Sequence, residues 1–145
     1  MRCNIQDRAT PGAQSSLANL FVQVDLPSGL RIDEGKIALL EAIRSTGSIA
    51  AAARAIGLSR GWAWLLVDQI NQGVKAPAVT AAPGGRRGGG AIVTPTGEHI
   101  INLYRTIEAQ ARSAMGKEFQ TLKVLGRAGK RSIIKNRRHS LAGPG

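Results

Sequence analysis

The sequence predicts a mainly α, α+β fold: a winged helix-turn-helix with a small β-hairpin wing and a long C-terminal helix. Three observations carry that expectation. Three helical patterns follow one another between residues 34 and 72, punctuated by Gly47, Gly57 and Gly73. A Gly-Gly-Arg-Arg-Gly-Gly-Gly run at 84–90 separates two short β-prone segments. Residues 96–120 then repeat apolar side chains every three or four positions.

The elements follow in order. Residues 1–19 predict a flexible N-terminal arm, polar over 1–16 and carrying Pro11, Gly12 and two serines. Residues 20–26 mix alternation with β-branched residues and predict a strand, Pro27-Ser28-Gly29 a turn, and 30–32 a short return strand. A helix over 34–45 has Ile37, Leu40 and Ile43 at helical spacing, with Asp33 and Glu34 at its positive N-terminal end. Ser48 caps an alanine-rich helix, 49–56, and Ser59 caps a third, from Arg60 to about Gln72. Strands are expected at 78–82 and 91–94. A helix over 96–120 then begins with Pro95 in its first turn. Its stripe is Ile100, Leu103, Tyr104, Ile107, Ala111, Met115 and Phe119, with Glu108 and Arg112 spaced i,i+4 on the other face.

Charge narrows the function. The chain has 145 residues, with 20 Lys+Arg against 9 Asp+Glu, a net charge of +11. That excess calls for an anionic partner, nucleic acid first and an anionic membrane surface second. Residues 1–30 balance to zero, 31–120 carry eleven basic and seven acidic residues, and 121–145 carry seven basic and none acidic. Residues 121–145 therefore predict a basic, flexible tail. Hydrophobic residues make up 43% of the chain, enough for a core, and aromatics only 3%, so that core is built from Ala, Ile, Leu and Val. Cys3 stands alone, which excludes an intrachain disulfide framework. No apolar run approaches the ~18 residues of a membrane span, and residues 1–16 lack the apolar core of a signal peptide. A cytoplasmic protein without a membrane partner is expected.

The segment 49–66 meets the demands of a helix-turn-helix. Counting from Ile49, the fifth position, where the helices touch, is the small Ala53, and the ninth, in the turn, is Gly57. Ala52, Ile56, Leu58, Ala63 and Leu66 fill the apolar positions. Ala63, Leu66, Val67 and Ile70 then face inward, which leaves Arg60, Gly61, Trp64 and Asp68 outward, while Trp62 is expected to pack. N-terminal residues of such a helix reach base edges. Arg60 suits guanine or a phosphate, Gly61 permits close approach, and Ser48 and Ser59 stand at helix starts facing the same duplex. Residues 84–90 read as a wing, with Arg86 and Arg87 for phosphates or the minor groove. A nucleotide-binding glycine loop fails on spacing, since neither Lys-Ser/Thr nor G-x-G-x-x-G occurs there.

These stretches resemble a known family. Gly35-Lys36-Ile37-Ala38-Leu39-Leu40-Glu41-Ala42-Ile43, Thr46-Gly47-Ser48-Ile49 with its alanines, Ala63-Trp64, the glycine-rich wing and Thr94-Pro95-Thr96-Gly97 are similar to the N-terminal winged-helix domain of ModE molybdate-dependent transcriptional regulators. The wing followed by Thr-x-x-Gly is the most specific part. LysR-type regulators share a weaker version. The resemblance covers residues 30–115 and implies sequence-specific DNA binding. Gly61 and Trp62 stand where family members often have polar or basic residues, which implies a different operator. The tail after residue 120 is too short for the family's molybdate-binding module and has no Ser-Ala-Arg-Asn-type motif, so the DNA-binding half is expected to stand alone, without molybdate binding.

No catalytic or metal-ligand pattern presents itself. His99 and His139 are far from Cys3, and no Ser/His/Asp set occurs. The expectation is a transcriptional regulator, not an enzyme, without cofactor, binding double-stranded DNA as a homodimer. Ile100, Leu103, Tyr104, Ile107, Ala111 and Met115 would form the dimer interface, because a small domain cannot cover so long a stripe. The alternatives are a basic, sequence-tolerant architectural or RNA-binding protein driven by the tail, and a protein-interaction winged helix.

Overall fold

Asp33 opens the first helix by accepting a hydrogen bond from the backbone N–H of Lys36 at 3.1 Å, which satisfies an otherwise free donor of the first turn. In the computed structural model, which describes residues 19–82 and 90–127, this helix is α1, Glu34–Thr46. It follows a short antiparallel pair, β1 Val24–Asp25 and β2 Arg31–Ile32, in the register Val24↔Ile32. β1 is much shorter than the strand expected over 20–26. The turn takes over at Leu26, whose N–H donates to Leu30 and whose carbonyl accepts from Gly29.

α2, Ile49–Ile56, and α3, Arg60–Gly73, follow at the expected places. Gly47 and Gly57 close α1 and α2 at φ 74° and 75°, a left-handed conformation that costs any residue with a Cβ. β3 Val79–Ala81 and β4 Ala91–Val93 pair antiparallel, with Thr80 opposite Ile92. The pair is tied down on both sides. Ala91 N–H donates to the Gly47 carbonyl at 2.8 Å. The Asn71 side chain donates to the Val79 carbonyl and accepts from Ala78 and Val79 N–H. The expected wing at 84–90, with Arg86 and Arg87, lies outside the described residues except for Gly90.

The helix expected over 96–120 is two. α4 is Pro95–Ala114 and α5 is Gly116–Leu125, separated at Met115, whose φ of −107° and ψ of 23° are not helical. Gly116, a weak helix former, accounts for the interruption. α5 continues through 121–125, the first residues of the expected tail. The chain divides into two compact units, one of them Phe21–Gln110. The other includes residues 111–127, with α5, among the described residues. Among the described residues there are thus five helices and two small antiparallel sheets, a mostly helical α+β arrangement, and no helix is long and apolar enough to cross a membrane.

The core of Phe21–Gln110 is aliphatic, as the composition requires. Ile37, Leu39, Leu40 and Ile43 of α1 are buried with Ala52, Ala53, Ala63, Leu66, Val67 and Ile70. α4 reaches this core through Gly97, Ile101 and Tyr104. Beside them Arg105 bonds three carboxylates, Glu34 at 2.7 Å, Glu41 at 2.6 Å and Glu108 at 3.1 Å, so Glu108 serves Arg105 and not Arg112. The bonds to Glu41 and then Glu34 outweigh the cost of burial and raise the guanidinium above its usual range.

Candidate nucleic-acid interface

The candidate interface is built from α2, the turn at 57–59 and α3. Each helix start is secured by a serine. Ser48 Oγ accepts from Ala51 N–H and Ser59 Oγ from Trp62 N–H, both at 3.1 Å. Between them Gly57 turns the chain, and Leu58 N–H donates back to the Ala53 carbonyl at 2.9 Å. Ala53 and Ala63 are both buried, and methyl side chains let α2 and α3 pack closely.

Four buried positions fix the rotation of α3: Ala63, Leu66, Val67 and Ile70, the inward face expected from the sequence. Arg60, Gly61, Trp64 and Asp68 are consequently exposed, and Trp62 is half-buried against the core. Arg60 is the single cation of α3, placed at its first position. A Cβ built on Gly61 meets nothing within 4 Å. The fold therefore does not require glycine there. Asp68, two turns beyond Arg60, accepts from Gln72 at 2.8 Å. Ser48, Ser59, Arg60, Gly61 and Trp64 thus occupy helix starts or the exposed face of one helix pair. Leu65, Gln69 and Gln72 are exposed beside them and were missed. Their signal was available, since they follow from the same four inward positions.

The expected dimer residues separate. Tyr104 is only 2% exposed and its hydroxyl donates to the Val22 carbonyl at 2.7 Å. It belongs to the chain's own core, which corrects its assignment to a surface. Burial, then Glu34 and Glu108, pushes the phenol up to about 12. Ile100 is half-buried against the same core. Leu103 and Ile107 stay 52% and 42% exposed. In the other unit Ala111 is half-buried and Met115 exposed. The inward face of α4 runs through Gly97, Ile101 and Tyr104 because Gly97 packs against the Ala78 backbone, where a Cβ would collide with its carbonyl oxygen. Thr94 organises this approach. Its Oγ1 accepts from Gly97 N–H at 3.2 Å and donates to the Pro77 carbonyl at 2.6 Å, and its N–H donates to Ala78.

The geometry thus gives a basic chain with a serine-capped, outward-facing helix after a glycine turn. Comparison with known proteins is more specific. The chain is similar to the molybdenum-pterin-binding protein MopB of Rhodobacter capsulatus, 54% identical over 82 residues, 57% of this chain and 30% of that protein. It is 37% identical over 101 residues to the molybdenum transport protein ModE of Azotobacter vinelandii, covering 70% of this chain and 37% of the relative. It is 36% identical over 87 residues to the DNA-binding transcriptional dual regulator ModE of Escherichia coli K12, covering 60% and 33%. The chain spans about a third of the length of these relatives. No family model matches it.

Proposed function

We propose that the chain is a sequence-specific DNA-binding regulator of the ModE type, a winged helix-turn-helix that acts in the cytoplasm and catalyses no reaction. α3 enters the major groove with Arg60 and Gly61 leading. The wing at 84–90, with Arg86 and Arg87, touches the backbone or minor groove. Two copies associate through α4, so that two α3 helices read a two-fold site. The similarity to ModE and Mop proteins supports a molybdenum-related regulator. The reading asks of these residues DNA recognition alone, without molybdate binding.

The observation that carries the reading is Gly61. Nothing in the fold crowds a Cβ at this position, the second residue of α3, so the fold itself gives no reason for a glycine there. An exposed glycine one residue after an exposed arginine suits a helix that another surface approaches closely. The test is Arg60→Ala, measured by fluorescence anisotropy on a duplex selected from a random library and on unselected DNA. A loss of about 1–3 kcal/mol on the selected duplex, with a smaller loss on the other, supports base reading by Arg60. Equal losses reduce Arg60 to a phosphate contact and favour the sequence-tolerant alternative.

A further inference from the structure

This inference rests on the DNA-binding reading and concerns what α3 reads. Two large apolar side chains follow one another on its exposed side, Trp64 at 53% and Leu65 at 44% exposure. They lie one turn after Arg60 and Gly61 and one turn before Asp68 and Gln69. The core does not use them, because Ala63, Leu66, Val67 and Ile70 already fill the inward face. Trp64 is also one of only two tryptophans in the chain.

The chemistry of the major groove restricts what they can meet. Base edges there present donors, acceptors and one apolar group, the 5-methyl of thymine. Leu65 has no hydrogen-bonding atom, and Trp64 only the indole N–H. Over a G·C step these side chains would cover polar edges without replacing their hydrogen bonds to water, which is unfavourable. Over thymine they bury a methyl group. The absent side chain at Gly61 leaves room for the duplex beside them, and the Asp68 carboxylate disfavours phosphates at the far end of the helix.

We propose that Trp64 and Leu65 are specificity residues that read thymine 5-methyl groups, so that the preferred duplex carries thymine beneath the middle of α3, next to the base or phosphate taken by Arg60. The test uses the full chain and the duplex it selects from a randomised library. Each thymine of that duplex is replaced singly by uracil, which keeps the O4 acceptor and the base pair and removes only the methyl. The expected result is about fourfold weaker binding for each methyl contacted. Trp64→Ala or Leu65→Ala then binds thymine and uracil equally at that position. Both side chains lie outside the buried core, so the variants should keep the wild-type fold. The uracil series on the wild-type chain decides the matter even if a variant fails to fold. A selected duplex indifferent to every uracil overturns the inference and leaves the DNA-binding reading standing. Failure to select any sequence overturns both. Variants that bind DNA as before but sediment as a smaller species assign the patch to a second copy, which also overturns the inference.

Discussion

Gly61 and Gly97 are both glycines inside helices, and the structure gives them opposite meanings. At Gly97 a Cβ would meet the Ala78 carbonyl oxygen and, at 2.6 Å, Val93 Cγ1, whereas at Gly61 it meets nothing. Gly97→Ala should therefore destabilise the fold by about 1–3 kcal/mol through overpacking. Gly61→Ala should leave the fold within about 0.5 kcal/mol of wild type, because the site is exposed and uncrowded, while weakening DNA binding. Urea unfolding of both variants, with anisotropy on the second, checks the pair. The Thr94–Gly97 pattern was legible in the sequence as a motif. Its reason was not, because it depends on a backbone contact with Ala78, sixteen or more positions earlier in the chain. Tyr104 supplies the pH dependence. Its phenol titrates near 10 in an unfolded chain and is pushed up to about 12 here by burial and by Glu34 and Glu108. A raised pKa means that the folded state holds the proton more tightly. The contribution is complete below pH 10 and is lost as pH rises through 12. The urea midpoint of wild type should fall more steeply over that window than that of Tyr104→Phe. Parallel curves would show that the phenol is not held in its neutral form.

At the scale of elements, the sequence was most readable where local chemistry decides. Ser48, Ser59, Gly47 and Gly57 mark the limits of α1, α2 and α3 almost to the residue, because a capping hydroxyl and a left-handed glycine act within one turn. It was less readable where tertiary contact decides. The apolar stripe of α4 is wide, and periodicity alone could not say that Ile101 and Tyr104 go inward while Leu103 and Ile107 stay out. The close approach at Gly97 settles that rotation. Arg105 went unnoticed because its partners Glu34 and Glu41 come from α1, far away in sequence. The exposed pair Leu103 and Ile107 is where the proposed association of two copies should fail first. At a dilution where wild type is itself monomeric, Leu103→Glu with Ile107→Glu should leave the unfolding free energy within about 0.5 kcal/mol of wild type, as for other surface changes, whereas at higher concentration only wild type should gain stability from association. At tens of micromolar the double substitution should convert a dimer to a monomer in sedimentation. A wild-type monomer under those conditions removes the dimer from the account.

For the whole molecule, charge and shape make separate claims. The +11 excess was plain from composition, and much of it lies in 121–145, where seven basic residues face no acidic one. Charge of this kind attracts any polyanion and reads no sequence. On the proposed reading, discrimination comes from the surface that Gly57, the serine caps and the four inward residues of α3 hold in place. The two contributions part when the chain is ended at residue 127, after α5, which removes five of the seven tail charges. The decisive measurement is the ratio of dissociation constants for the selected duplex and a scrambled one at about 150 mM salt, for the full and the shortened chain. The account predicts a ratio of about a thousandfold or more in both, with only the absolute affinities falling on truncation. A ratio near one, or one lost with the tail, would contradict it.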